Sequence, residues 1–294
     1  MPHFESGAAQ NRQRLGIVFG LTAAFMVAEV AAGFWTNSLA LLADAGHMLA
    51  DAGALGLALL AIRFAAQGAT PQKTYGYHRA EILAALANSA VLLVISFFIL
   101  YEAWVRFQDP PRVAGTPMLA VAVAGLAVNL VGAFLLHSGA GESLNVKGAY
   151  LEVLSDTLGS LGVIVASVLI WTKGWYLADP IISAGIGLFI VPRTWSLIRE
   201  ATHILMEGAP AHIDQTELEQ AVAQVDGVRE MHDLHIWTVT SGYDALSAHV
   251  TVEAGCDYDD TLRRLEHLLE KRFGIRHCTL QLETKAHSSA MNCR

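Results

Sequence analysis

Six long apolar stretches dominate the chain and restrict it to a narrow set of folds. A membrane-spanning helix needs about 20 mostly apolar residues, because the hydrocarbon core of a bilayer is about 30 Å thick. Six stretches meet this requirement, at residues 15–35, 38–65, 79–106, 116–136, 149–172 and 175–195. Only 16% of the residues are charged, against about 25% in a typical soluble domain. The pattern predicts an α-helical membrane protein with six transmembrane helices in a lipid bilayer.

Basic residues near the ends of these stretches predict the orientation, since Lys and Arg collect on the cytoplasmic side of a membrane. If the N-terminus is cytoplasmic, eight basic residues lie on the cytoplasmic side and three lie on the other. The eight are Arg12, Arg14, Arg63, Lys73, Arg79, Lys147, Arg193 and Arg199, and the three are Arg106, Arg112 and Lys173. We therefore expect both the N- and C-termini in the cytoplasm.

The last part of the chain changes to the mixed polarity of a soluble domain. Residues 215–225 and 258–273 have helical periodicity, and residues 228–240, 245–252 and 278–283 are typical of strands. The order αββαβ predicts a small cytoplasmic α+β domain, metallochaperone-like in its layout, with helices on one face of one sheet. The predicted division is a cytoplasmic N-terminal segment at 1–14, a six-helix domain at 15–207 and a C-terminal domain with a flexible tail at 208–294.

Charge and cysteine content exclude two other classes. The formal net charge of −8 offers no basic surface for phosphates, so we expect no nucleic-acid partner. The three cysteines, Cys256, Cys278 and Cys293, form no Cys-x-x-Cys pair. An odd number of late cysteines argues against a disulfide scaffold.

Ionisable residues inside the apolar stretches are the strongest functional signal. His47 and Asp51 in the second stretch are four residues apart, as are Glu152 and Asp156 in the fifth. Each pair lies on one helix face, and a charge in the bilayer costs at least about 2.5–3.5 kcal/mol. Two facing helices would bring one imidazole and three carboxylates to one point, a ligand set that suits a tetrahedral transition metal or zinc. Asp44 is a candidate for a group that orients His47, or for a helix-entry residue.

Buried hydrogen bonding between helices is the alternative for any one of these residues. It is the favoured interpretation for four other polar residues of the spans, which could instead line a path: Glu29, Asn88, Asn129 and Asp179. Asp179 precedes Pro180, so it could equally cap the sixth helix.

Three sequence segments resemble the signatures of the cation diffusion facilitator family. They are NSLALLADAGHMLAD at residues 37–51, KTYGYHRAE at 73–81 and GAYLEVLSDTLGS at 148–160. With six spans and an α+β tail, the resemblance covers nearly the whole chain. It implies a homodimeric antiporter that exports divalent metal ions against protons. It also implies that the transport site consists of His47, Asp51, Glu152 and Asp156.

One departure from the family bears on the choice of metal. Zinc-transporter-like members typically have His-x-x-x-Asp in the fifth helix, whereas this chain has Glu152 in the place of the histidine. A carboxylate is a harder ligand than an imidazole, so the preference of the site for zinc becomes less strict. We expect Zn²⁺ first, with Co²⁺ and Cd²⁺ as further substrates. The joint between the fourth and fifth spans contains a single histidine, His137, and so lacks the histidine-rich loop of many eukaryotic members. The resemblance therefore favours a bacterial inner (cytoplasmic) membrane exporter.

The loop before the third span is a weaker candidate for metal binding. His78 and Glu81 lie three residues apart there, and the resemblance implies that this loop can carry a metal. The alternative is a salt bridge of Glu81 with Arg79 or Lys73.

The tail offers a second set of candidates. By their places in the strands, His232, His249 and Glu283 match positions that bind metal in related tails; the alternative for each histidine is simple surface exposure. His277 and Cys278 could join them. Strand periodicity predicts His232 and His235 on opposite faces, so only one of the two is expected in a shared site.

Two rival functions are weighed against transport. An intramembrane metallohydrolase would need a His-Glu-x-x-His helix, which the chain lacks. A membrane-anchored metal sensor or scaffold has no use for paired ionisable residues within its spans. We therefore predict a transporter and not an enzyme.

Overall fold

The computed structural model describes residues 12–49, 52–53, 70–137, 144–240 and 242–284. Six helices make up the apolar part: α1 at Arg12–Thr36, α2 at Leu39–Leu49, α3 at Arg79–Gln108, α4 at Gly115–His137, α5 at Leu144–Lys173 and α6 at Ala178–Leu205. The described residues divide into two compact units, one drawn from 1–57 and 87–198 and the other from 58–86 and 199–294.

Five of these helices, all except α2, contain a segment that is long and apolar enough to cross a membrane. They confirm five predicted spans. The shorter apolar helix α2 begins the predicted second span, whose residues 50–51 and 54–65 lie outside the described residues. Helix α6 ends at Leu205 rather than at residue 195. The apolar signal stops where charged residues begin, but the backbone hydrogen bonds of the helix continue through them.

Large apolar side chains cover the outside of the helices. The exposed fraction is 63% for Phe98, 64% for Trp104, 82% for Phe134 and 65% for Phe189. A soluble monomer seldom exposes so continuous an apolar surface, whereas lipid solvates it well. The exposure pattern therefore agrees with a multi-pass membrane protein.

Small residues let the helices approach one another closely, as is common in membrane bundles. A Cβ atom at Gly125 in α4 would lie 2.7 Å from Cζ of Phe25 in α1 and 3.5 Å from Oγ of Ser160 in α5. A side chain at this position would therefore displace the Phe25 ring where α4 lies between α1 and α5.

Asp179, at the start of α6, fixes the beginning of α2. Its carboxylate is fully buried and accepts hydrogen bonds from Ser38 Oγ at 2.6 Å, Leu39 N at 2.9 Å and Ala40 N at 3.1 Å. Leu39 and Ala40 belong to the first turn of α2, where backbone N–H groups have no partner within the helix, and Ser38 immediately precedes it. Asp179 therefore caps α2 from another helix, instead of capping α6.

Arg106 of α3 also contacts Asp179 and the turn before α2. The guanidinium Nη1 lies 3.9 Å from Asp179 Oδ2 and donates to the Asn37 carbonyl at 2.7 Å. Asn37 has a φ of 57°, a left-handed conformation that asparagine tolerates better than most residues. The turn into α2 is thus held by side chains from α3 and α6.

The C-terminal part has the predicted αββαβ order. Its elements are α7 at Gln215–Ala223, β1 at Val228–Thr240, β2 at Tyr243–Val252, α8 at Tyr258–Phe273 and β3 at His277–Glu283. Both helices begin at an aspartate cap, and α8 ends at a glycine with a φ of 73°. Strand β2 is the central strand, antiparallel to β1 and parallel to β3.

The two faces of this sheet differ in chemistry. One face packs on α7 and α8, where Leu218, Leu265 and Leu269 are fully buried with Val250. Because side chains alternate along a strand, the opposite face contains a second set of β1, β2 and β3 residues, among them His232, His235 and His249.

Replacement of Asp179 by alanine tests the cross-helix cap. The variant leaves two N–H groups of α2 and the Ser38 hydroxyl without their acceptor, and loss of an N-cap costs about 0.5–2 kcal/mol. We expect a melting temperature several degrees below wild type for the purified protein in detergent. Asp109→Ala, at an exposed position after α3, is the control and should melt like wild type. Equal melting of all three proteins would contradict the cap.

Candidate metal centres

The first candidate centre lies between α2 and α5. His47 Nε2 lies 3.6 Å from Asp156 Oδ1, and both residues are buried. The structure thus brings one member of each predicted pair together. Asp51 lies outside the described residues, and Glu152 is described only as a backbone position in α5, one turn before Asp156.

Asp44 lies one turn before His47 and is buried with Glu29 of α1. The Asp44 carboxyl group interacts with the side chains of Glu29 and of Ser160 in α5. Asp44 and Glu29 therefore form a polar connection among α1, α2 and α5 beside His47.

Asn129 of α4 extends this connection, since its Nδ2 donates to Ser160 Oγ at 3.2 Å. For Glu29, Asn129 and Asp179, bonding between helices is thus the role that their contacts support. The sequence could not pair them, because each partner belongs to a different helix.

His78 lies in the loop before α3, and its ring contacts the Tyr243 ring edge-on, with centroids 5.7 Å apart. Glu81 accepts a hydrogen bond from Thr240 Oγ1 at 2.6 Å, while Arg79 pairs with Glu207 at 3.0 Å. Within the described residues, no group of three metal-ligating side chains includes His78. Its predicted metal role therefore has no geometric support.

The second candidate centre combines all three strands of the C-terminal sheet. His232 of β1, His249 of β2 and Glu283 of β3 each place a ligand atom within 4.8 Å of the others. His232 Nε2 lies 2.8 Å from Glu283 Oε1, and the imidazole centroids are 5.4 Å apart. His249 Nδ1 is buried without a hydrogen-bond partner among the described residues. Two imidazoles and one carboxylate fit Zn²⁺ with a fourth position open.

The pairing of β1 with β2 corrects the prediction for His235. His232 pairs with His249 and His235 pairs with Ser247, across a shift in register. Residues paired on adjacent strands point to the same face, and His249 and Ser247 are two apart in β2. His232 and His235 therefore share a face, and the prediction of opposite faces is wrong because a β-bulge adds one residue between them.

His277 and Cys278 do not join the three ligands. Cys278 packs against the helix-facing core, and burial, with a smaller contribution from the Glu266 charge, raises the pKa of its thiol. Cys278 therefore lies on the face of the sheet opposite to the three ligands. The His277 ring instead contacts Tyr75 and Tyr243, at centroid distances of 5.5 and 6.0 Å.

Sequence reasoning missed Asp233, whose carboxylate lies 3.9 Å from His249. Aspartate is depleted in strands, so its place between two histidines of β1 is the signal that could have identified it.

These features define a class, a multi-pass membrane protein with a small α+β domain and candidate metal sites in both parts. Comparison with known proteins identifies the family within that class. Residues 15–206 match the cation efflux transmembrane domain, and residues 210–285 match the cytoplasmic domain of cation efflux proteins.

Relatives match over nearly the full chain. A cadmium, cobalt and zinc/H(+)-K(+) antiporter of Bacillus subtilis is 44% identical over 95% of this chain and 91% of its own length. The zinc transporter ZitB of Escherichia coli is 43% identical over 93% of this chain and 88% of its own. A solved structure, the metal-bound C-terminal domain of the CzcD transporter from Cuprividus metallidurans, is 36% identical, covering 24% of this chain and 99% of its own, with a TM-score of 0.23.

The chain belongs to the cation efflux family, the cation diffusion facilitators, and the resemblance seen in its motifs is confirmed. This is a family of transporters and not of enzymes.

Gly159 of α5 offers a test of the Asp44 position. A Cβ atom there would lie 2.7 Å from Asp44 Oδ1, and overpacking of this kind typically costs about 1–3 kcal/mol. We expect Gly159→Ala to lower the melting temperature by several degrees, whereas Gly185→Ala in α6, which has open space around it, should not. If the two variants melt alike, the contact with Asp44 is not tight.

Proposed function

We propose that the protein is a proton-coupled antiporter that exports Zn²⁺ from the cytoplasm by alternating access, with Co²⁺ and Cd²⁺ as further substrates. The observation that carries the proposal is the buried contact of His47 with Asp156 across α2 and α5, 3.6 Å long. The names of the relatives, which include zinc, cadmium and cobalt, support the choice of metals.

The transport site consists of His47, Asp51, Glu152 and Asp156 in this proposal. Metal binding requires ionised carboxylates and a neutral imidazole, so metal and protons compete for the same atoms. An imidazole exchanges protons near neutral pH, which makes His47 the principal proton carrier. The metal leaves on the outer side as protons load the site, and the protonated site returns and releases them to the cytoplasm.

The setting of the transporter is part of the proposal. The protein is a homodimer in a bacterial inner membrane with both termini in the cytoplasm. The distribution of eight and three basic residues supports the orientation, and the match to the family's cytoplasmic domain, ZT_dimer, supports the dimer. The ligand cluster of His232, His249 and Glu283 holds Zn²⁺ as a structural or regulatory ion.

The alternative function is a membrane-anchored metal sensor or scaffold. It leaves the contact of His47 with Asp156 unexplained, because an anchor gains nothing from ionisable groups buried in its spans. No observation favours it over transport.

Replacement of Asp156 by asparagine tests the transport site. In inside-out vesicles with an acidic interior, we expect wild type to accumulate Zn²⁺. The uptake rate of Asp156→Asn should be lower by a factor of at least about 10 to 100, because even the loss of a group that only supports a metal ligand has an effect of that size. Asp109→Asn is the control at an exposed position and should transport at the wild-type rate. Wild-type uptake by Asp156→Asn, or uptake that ignores the pH gradient, would overturn the proposal.

Glu152→His tests whether this position sets the metal preference. Exchange of a carboxylate for an imidazole should favour Zn²⁺ over harder ions such as Mn²⁺, because imidazole suits zinc and carboxylate suits manganese. Uptake of zinc, cobalt, cadmium and manganese is measured in parallel for both proteins. Identical ratios among the four metals would remove Glu152 from the site, provided that the variant still transports zinc.

A further inference from the structure

Asp233 occupies an unusual backbone position in β1. Residues 233 and 234 lie opposite the single residue Ala248, because His232 pairs with His249 and His235 with Ser247. Asp233 has a φ of 52°. Glycine is the usual residue at a left-handed bulge position, because a side chain strains this backbone conformation, although aspartate is among the better tolerated residues there.

The side chain of Asp233 lies between two histidines. Its Oδ1 lies 3.2 Å from Nε2 of His235, and its Oδ2 lies 3.9 Å from Nε2 of His249. A carboxylate can only accept hydrogen bonds, so His235 donates and holds the carboxylate in place. The second oxygen is left facing His249.

His249 has a different neighbour on each side of its ring. Nε2 faces Asp233, whereas Nδ1 lies 4.0 Å from Oε1 of Glu283. Nδ1 is also the atom that is buried without a hydrogen-bond partner among the described residues. The ring thus presents one nitrogen to the proposed metal position and the other to a carboxylate.

This arrangement matches a general feature of metal centres. A histidine that binds a metal usually donates its second ring N–H to a carboxylate or carbonyl, which fixes its tautomer and orientation and raises its basicity. We propose that Asp233 is the positioning residue of the C-terminal metal centre: its carboxylate charge, 3.9 Å from Nε2 of His249, favours the tautomer with the proton on Nε2 and thereby directs the Nδ1 lone pair at the metal. The proposal rests on the proposed binding of Zn²⁺ by His232, His249 and Glu283.

A purely local role is the competing explanation. Aspartate would then occupy the bulge only because it tolerates a positive φ, and its carboxylate would be incidental. Glycine separates the two explanations, since Asp233→Gly keeps the preferred backbone and removes the carboxylate. Asp233→Asn provides an intermediate case, because its amide oxygen still accepts a hydrogen bond but carries no charge.

The test measures Zn²⁺ affinity of the full-length protein in detergent, by competition with a chromophoric chelator. All variants also contain His47→Ala, which removes a ligand of the proposed transport site. We expect the dissociation constant of the C-terminal centre to rise about 10-fold in Asp233→Asn and up to about 100-fold in Asp233→Gly. Asp226→Asn, at an almost fully exposed side chain, should stay within about twofold of the parent.

Stability and the ligand variant make the outcomes distinguishable. Asp233→Gly without metal should melt at or above the parent temperature, because the backbone strain is relieved. If Glu283→Gln leaves Zn²⁺ binding unchanged, the proposed centre itself is wrong. If Glu283→Gln abolishes binding while both Asp233 variants retain the parent affinity, the centre stands and the role of Asp233 is overturned.

Discussion

The need to pair polar groups inside a low-dielectric medium determines the arrangement of the membrane helices. An unpaired charge or backbone N–H group in hydrocarbon costs several kcal/mol, so a buried charge or a first-turn N–H group that its own helix cannot pair must find a partner on another helix. The contacts of His47 with Asp156, of Glu29 with Asp44, and of Asp179 with the start of α2 all meet this need. Apolar packing brings the helices together, but these contacts fix which helix faces which.

The sequence predicted the elements far better than their partners. Periodicity and caps are local, so the limits of β1 and α8 agree with the structure to the residue. The i, i+4 spacing selected His47 and Asp156 as candidates, and the structure places them 3.6 Å apart. The cap formed by Asp179 joins residues about 140 positions apart, which no local pattern encodes. The bulge at Asp233 is a single extra residue and reverses the alternation on which the prediction for His235 depended.

The C-terminal centre depends on strand register more than on any single ligand. His232 and His249 are directly paired across β1 and β2, and β3 must add in parallel beside β2 to bring Glu283 to the same face. The segment between β2 and β3 contains α8, whose leucines form the core on the other face. The cluster is therefore complete only when the whole small domain has folded, and a ligand that binds it would stabilise that domain by mass action.

The cap on α2 also limits how that helix can move. Separation of α2 from α6 at Ser38 would leave a carboxylate and three donors in hydrocarbon, so this end behaves as a pivot. When the helix tilts about this end, the displacement of a residue grows with its distance from the end, which increases by about 1.5 Å per residue. His47, eight residues beyond Leu39, lies about 12 Å from this fixed end, so a tilt of α2 displaces its ring relative to α5 while the first turn stays in place.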